Sequence, residues 1–167
     1  MLFERILRHF QETGLRYAVI GGIAVNLHGY NRLTGDLDII ISLTHENVLK
    51  FVSAVKELGL VPRLPVKVED FADEKLRSNW VREKSLKVFT VHNPANLLEH
   101  VDVKIDAVER IEQYLRNAVV FKAGDINISV VTVDDLIALK REAARDRDLI
   151  DIKALERIRR LDDYRGV

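Results

Sequence analysis

The sequence contains no cysteine. That excludes a disulfide scaffold, a thiolate metal site and a cysteine nucleophile, and it suits a reducing cytosol. Proline and glycine are sparse, at three and eight residues in 167, and no repeat or low-complexity tract interrupts the chain. Long apolar runs are missing: the longest, around Tyr17–Val25, holds two glycines and falls far short of the ~18 residues of a membrane span. The opening decapeptide MLFERILRHF alternates charged with apolar residues, unlike a secretory signal. A charge excess is absent too, with 26 basic and 26 acidic side chains and a pI near 7.0. Whole-surface nucleic-acid binding needs a basic excess to neutralise phosphates, so this balance argues against it. What is present is a 47% hydrophobic chain. At this length it suits one domain, residues 1–167, able to bury roughly 70% of its unfolded surface without covalent staples. Composition thus predicts a soluble, cytoplasmic protein with no membrane partner.

Hydrophobic periodicity divides the chain into alternating helices and strands. Leu2, Phe3, Ile6, Leu7 and Phe10 recur at helical spacing before Gly14, and residues 16–20 form a short buried strand that ends on Gly21-Gly22. A turn or two of helix over 23–28 precedes a second strand, Leu37–Ile41. Thr44 stands where it can cap a helix with Val48, Phe51, Val52, Val55 and Leu58 on one face, closed by Gly59. A loop marked by Pro62 and Pro65 leads to a helix over roughly 69–85, then to strands over 86–92 and 101–105. In the latter, Val101, Val103 and Ile105 alternate with Asp102, Lys104 and Asp106. A helix near 109–115 and strands over 118–121 and 126–131 follow. Thr132 and Asp135 then open a closing helical pair, 133–144 and about 148–158. The pattern predicts an α/β (α+β) domain with a core of about 14–131 and a C-terminal helical element of about 132–160.

The segment 21–38 carries the chemistry. A strand running into paired glycines and a helix start presents backbone N–H groups to an anion, because glycine allows close approach and the helix N-terminus favours negative charge. Residues 23–35 separate that turn from Asp36 and Asp38, two apart in a strand and therefore on one face. Two such carboxylates repel unless something positive lies between them. A hard divalent ion such as Mg²⁺ resolves this. A phosphate cradle facing a carboxylate pair is the equipment for transferring a phosphate-bearing group.

Gly21-Gly22-x-Ala24, Gly29, Arg32-x-Thr34-x-Asp36-Leu37-Asp38 and, at the far end, Asp135-Leu136, Lys140, Arg145, Asp148-Leu149-x-Asp151 together resemble the DNA polymerase β-like nucleotidyltransferase superfamily. The likeness is strongest to its small prokaryotic members, the minimal nucleotidyltransferases and AbiEii-type toxin components of toxin–antitoxin and phage-defence systems. The resemblance implies a mixed β-sheet flanked by helices, and transfer of a nucleoside monophosphate from an NTP, ATP among the candidates, to a hydroxyl. By this resemblance Gly21 and Gly22 hold the phosphates, while Asp36, Asp38 and a third carboxylate ligate one or two Mg²⁺ ions. Asp102, between Val101 and Val103, is the better match for that third carboxylate, with Asp106 the alternative. Lys140 approaches the triphosphate from the closing helix, and Arg32 and Thr34 serve it from the loop. The acceptor is open between a protein, a tRNA or other RNA end and a small molecule, and an antitoxin is the implied protein partner. Where the family often has Pro and Lys before its last acidic pair, this chain has Asp146 and Arg147, which leaves Asp148 and Asp151 open between a functional role and simple pairing with Arg145, Arg147 or Lys153.

Two other classes compete. A non-catalytic module could retain the fold to bind a nucleotide or partner, but all the acidic positions are present. A Rossmann-type binder fits less well, since the third fingerprint glycine is missing and two acids exceed what ribose binding requires. Neither the five dispersed histidines nor Trp80, set near Phe71 and Leu76, forms a site by spacing; packing is the expected role of His28 and Trp80.

Overall fold

Most strands announce themselves as short apolar runs, and the computed structural model, which describes residues 3–106 and 108–165, arranges seven strands in one mixed sheet. Helix α1 (Glu4–Glu12) buries Ile6, Leu7 and Phe10 and ends near Gly14 at φ 62°. Leu2, expected on that face, lies outside the described residues, as do the ends of the 1–167 span. Strand β1 (Tyr17–Val19) is buried throughout and turns directly into α2 (Gly21–Leu27). After a loop come β2 (Leu37–Ile41) and α3 (His45–Glu57). Thr44 occupies the N-cap of α3, yet its hydroxyl does not cap the helix; it faces Ser42 Oγ at 3.3 Å.

The expected helix over 69–85 is two pieces, a 3₁₀ turn (Val68–Ala72) and α4 (Glu74–Lys84). Asp73 separates them because its carboxylate accepts from the N–H groups of Lys75 and Leu76, capping a new helix. Strand β3 (Val61–Pro62) was hidden by its proline, which is tolerated because β3 is an edge strand. Strands β4 (Val88–Asn93) and β5 (Asn96–Lys104) form a hairpin, so the second of them begins five residues earlier than its alternating part suggests. Helix α5 (Val108–Asn117), the hairpin β6 (Val119–Ala123) and β7 (Ile126–Val130), and helices α6 (Val133–Ala143) and α7 (Asp146–Arg165) complete the chain. Thr132 caps α6 through the Asp135 N–H.

The sheet order is β3-β4-β5-β2-β1-β7-β6. Strand β1 pairs antiparallel with β2 and parallel with β7, while β2 pairs parallel with β5. Ile39, Ile40 and Ile41 are fully buried on β2, and α5 packs against β1 and β2. Beyond β5 an aromatic group fills the core, with Phe71 between Phe51 and Phe89 and Trp80 stacked on Phe89 at 5.6 Å. Trp80 is thus a packing residue. His28 also packs, edge-on to Phe121, with its Nε2 at 2.8 Å from the Val131 carbonyl. Among the described residues no helix is long and apolar enough to cross a membrane.

Candidate active site

The period-2 geometry of strands turns pairing register into chemistry. Asp38 on β2 is the direct neighbour of Asp102 on β5, and Asp102 is in turn the neighbour of Thr90 on β4. One rung across three strands therefore carries two carboxylates and a hydroxyl, and Thr90 Oγ1 donates to Asp102 Oδ1 at 2.6 Å. Asp36 lies just before β2, level with His100, whose Nε2 is 3.1 Å from Asp36 Oδ1. Asp106, the alternative to Asp102, is engaged by Lys104 Nζ at 2.5 Å. Asp102 thus has the rung position beside Asp38, and Asp106 has a counter-ion of its own.

Above this rung lies the glycine turn. The Ile20 N–H bonds to the Asp38 carbonyl at 2.9 Å, which ties the end of β1 to β2 immediately before Gly21. Gly21 has φ 66°, and a Cβ there would fall 2.0 Å from Asp38 Oδ2. A Cβ on Gly22 would fall 2.4 Å from both Arg32 Nη2 and Thr34 Oγ1. Each glycine is therefore a space requirement: the Asp38 carboxylate fills the volume over one, and the Arg32–Thr34 loop fills that over the other. The α2 N-terminus carries no side-chain cap, and the Gly22 N–H points at the Asp38 carboxylate.

Burial pushes the Asp38 carboxyl up to about 6, reinforced by the negative charges of Asp102 and Asp36; the Gly22 N–H and Lys140 act in the opposite direction. The raised value reflects first a carboxyl removed from water and then the neighbouring carboxylates, with too little positive charge nearby to offset either. Among the described residues no group of three or more His, Cys, Asp or Glu side chains already stands close enough to hold a metal ion. Asp36 is the outlying member, turned toward His100 and half exposed.

The basic residues come from the chain's two ends. Asn26 clamps the Arg32 backbone through two 2.9 Å hydrogen bonds, one to its carbonyl and one from its N–H. The Arg32 guanidinium reaches Asp151 at 3.2 Å, and Lys140 Nζ lies 2.7 Å from Asp151 and 3.3 Å from Asp148. Asp148 and Asp151 thus pair with Lys140 and Arg32, and not with the Arg145, Arg147 or Lys153 side chains that the sequence offered as one alternative.

Gly21, Gly22, Arg32, Thr34, Asp36, Asp38, Asp102 and Lys140 all line one cavity of about 470 Å³, a volume ordinary for a small-molecule site. Lys87, Arg145 and Arg147 line it too, without an ion-pair partner among the described residues. The sequence assigned none of the three to the cavity, because a charged residue beside a loop or at a helix start is ordinarily solvated. Thr90 and His100 were also missed. Their signal is the Asn93-Pro94 turn, which sets β4 against β5 and places both residues on the face of Asp102.

No curated protein matches the sequence. Solved structures do resemble the fold. The lincosamide antibiotic adenylyltransferase LnuA, in a lincomycin-bound crystal structure, superposes with a TM-score of 0.61 at 16% identity, covering 94% of this chain and 96% of that one. The antibiotic-resistance factor ANT(2'')-Ia gives 0.57 at 15% identity, over 99% and 91%. An antigenic nucleotidyltransferase-like protein from Paracoccidioides brasiliensis gives 0.55 at 11% identity, over 90% and 72%. At such identities the likeness concerns the fold. Family membership rests on sequence: residues 5–165 match the profile described as nucleotidyl transferase AbiEii toxin, type IV toxin–antitoxin system. With nearly its whole length inside that match, the chain is a nucleotidyltransferase and belongs to the AbiEii toxin family.

Proposed function

We propose that this single domain transfers a nucleoside monophosphate from an NTP to a hydroxyl acceptor, with Mg²⁺ bound by Asp38, Asp102 and Asp36. The observation that carries the reading is the rung pairing Asp38 with Asp102 directly beneath the Gly21-Gly22 turn. The donor set fits the ion: it consists of carboxylate oxygens on one sheet face, and a cation there would offset both the burial and the neighbouring negative charge that raise the Asp38 pKa. Asp36 joins the set by rotating away from His100. Bound there, the ion supplies charge neutralisation at the transferring phosphate and activation of the acceptor hydroxyl.

The chain's own residues bind and orient. Gly21 and Gly22, which line the cavity, hold the phosphates by leaving room for the Asp38 carboxylate and the Arg32–Thr34 loop beside them. Thr34 and Arg32, packed over Gly22, contact the phosphates from the loop side, and Lys140 from the α6 side. Asp102, steadied by Thr90, faces the acceptor hydroxyl. The acceptor is a protein, an RNA or tRNA end, or a small molecule; the neutral total charge favours a compact acceptor or a local contact over a long polyanion. An antitoxin, as the family description implies, is the regulatory partner, and the cytoplasm is the compartment.

The test is incubation with Mg²⁺, each α-labelled NTP, and tRNA, total protein or small-molecule extract as acceptor. Label transfer by the wild type, and loss of at least about a hundredfold in Asp38→Asn and Asp102→Asn, is the expected result. Transfer that survives both substitutions, or transfer from no NTP to any acceptor, defeats the proposal.

A further inference from the structure

Arg32 and Lys140 reach the cavity from opposite ends of the sequence and meet on a single oxygen of α7. Asp151 Oδ2 accepts from Arg32 Nη1 at 3.2 Å and from Lys140 Nζ at 2.7 Å, and its side chain is only 3% exposed. Asp148, one turn earlier, binds Lys140 at 3.3 Å and the Arg145 N–H at 3.2 Å, and has no hydrogen bond to Arg32. The two acids therefore differ in what they hold. Asp148 closes the α6–α7 joint, whereas Asp151 alone connects both cations.

Net stability does not account for such a carboxylate, since the desolvation of buried ion pairs largely offsets their attraction. Orientation does. A guanidinium is a rigid fork, so anchoring one arm fixes the other. With Nη1 on Asp151, Arg32 Nη2 lies over Gly22, within 2.4 Å of where a Cβ would be. The backbone of the same residue is held from the other side by Asn26. The free arm is thereby aimed at the turn where α2 begins. The same Asp151 oxygen keeps the Lys140 ammonium at the cavity wall, with its side chain 7% exposed.

We propose that Asp151 is a positioning residue for the donor triphosphate: it sets the Arg32 fork against the Gly22 turn and Lys140 beside it, so that both cations meet phosphate oxygens without rearrangement. This rests on the NTP reading above and extends it to a residue that contacts no substrate. A pre-set pair of cations acts on the charged tail of the donor and is indifferent to the nucleoside.

The experiment uses the full chain and the four ribonucleoside triphosphates with Mg²⁺. It measures kcat and KM separately, and measures Kd for each triphosphate and its parent nucleoside by calorimetry. Asp151→Asn is expected to raise KM and Kd for the triphosphate roughly tenfold while kcat moves less than about threefold and nucleoside Kd stays constant, the pattern of lost binding that is uniform along the reaction. Asp151→Glu recovers part of the affinity, and Asp148→Asn, which leaves the Arg32 contact intact, has the smaller effect on KM. An unchanged KM in Asp151→Asn, or equal weakening of nucleoside and triphosphate as a merely structural lesion would produce, overturns the proposal. If Asp151→Asn does not fold, Arg32→Lys carries the test. It keeps a charge for Asp151 but removes the second arm, and it must show the same rise in KM; an unchanged KM refutes the positioning role. Failure of the wild type to bind any triphosphate overturns both this inference and the reading beneath it. Triphosphate binding with no change in either variant overturns this inference alone.

Discussion

At the scale of single residues, the site is built around one carboxyl held against its preference. Asp38 binds its proton more tightly when folded, with its pKa near 6 against an ordinary 3.8. A group raised in this way contributes its full stability below the unfolded value, and that contribution is lost as pH rises through about 6. Asp38→Asn is therefore expected to stabilise the metal-free protein at pH 7.5, by about 3 kcal/mol at most, and to have little effect below pH 4. Urea melts at the two pH values check this, and an equal effect at both would contradict it. Added Mg²⁺ should raise the Tm of the wild type and leave that of the variant nearly unchanged, since an ion bound only by the native state stabilises it by mass action. Gly21→Ala tests the same contact from the other side. Its methyl group would collide with Asp38 Oδ2 at a backbone angle of φ 66°. The expected cost is roughly 1–3 kcal/mol in denaturant unfolding, together with loss of transfer activity.

At the scale of elements, legibility depended on whether a signal was local. The glycine pair, the Asp36/Asp38 spacing and the amphipathic stripes of α1 and α3 all lie within one element and were readable from the residues alone. The break at Asp73 was not, because charged residues continue through 69–85 and only cap geometry separates the two pieces. How Asp102 and Asp106 differ was also beyond local pattern: they share the alternation of the sequence, but β5 ends at Lys104 and only Asp102 stands in register with Asp38. Lys140 was named by the resemblance alone: its own helix gives an ordinary solvated lysine, but a chain reversal at Ala144 brings α7 back and buries it beside Asp148 and Asp151. That reversal is made at φ 49° by a residue with a Cβ. Ala144→Gly should relieve the strain and stabilise the protein by roughly 0.5–1 kcal/mol. A fall in the denaturation midpoint would show that the joint depends on the methyl group instead.

At the scale of the whole molecule, the mixed sheet concentrates order at its middle. Strands β1 and β2 have paired neighbours on both sides and are buried, while β3 is a two-residue edge and β6 an edge carrying the exposed Val120. Native-state hydrogen exchange is expected to protect the amides of 17–19 and 37–41 to the level of global unfolding, with β3 and β6 exchanging through cheaper local openings. Comparable protection in β6 and β2 would contradict this gradient. The pairing of Val19 with Val130 makes the centre of the sheet a long-range contact, and such contacts slow folding because loop closure precedes them.

The parallel pairing of β7 with β1 bears on biosynthesis as well as on folding. Synthesis proceeds from the N-terminus, and domains fold as the chain emerges. The carboxylates of β2 and β5 are therefore made well before the strand that completes the centre of the sheet and the helices that supply Lys140 and Asp151. A nascent chain ending before residue 133 contains the residues of the acidic rung but lacks the wall of the cavity that carries the second cation. On the roles proposed above for Lys140 and Asp151, a chain terminated before α6 is expected to transfer no nucleotide.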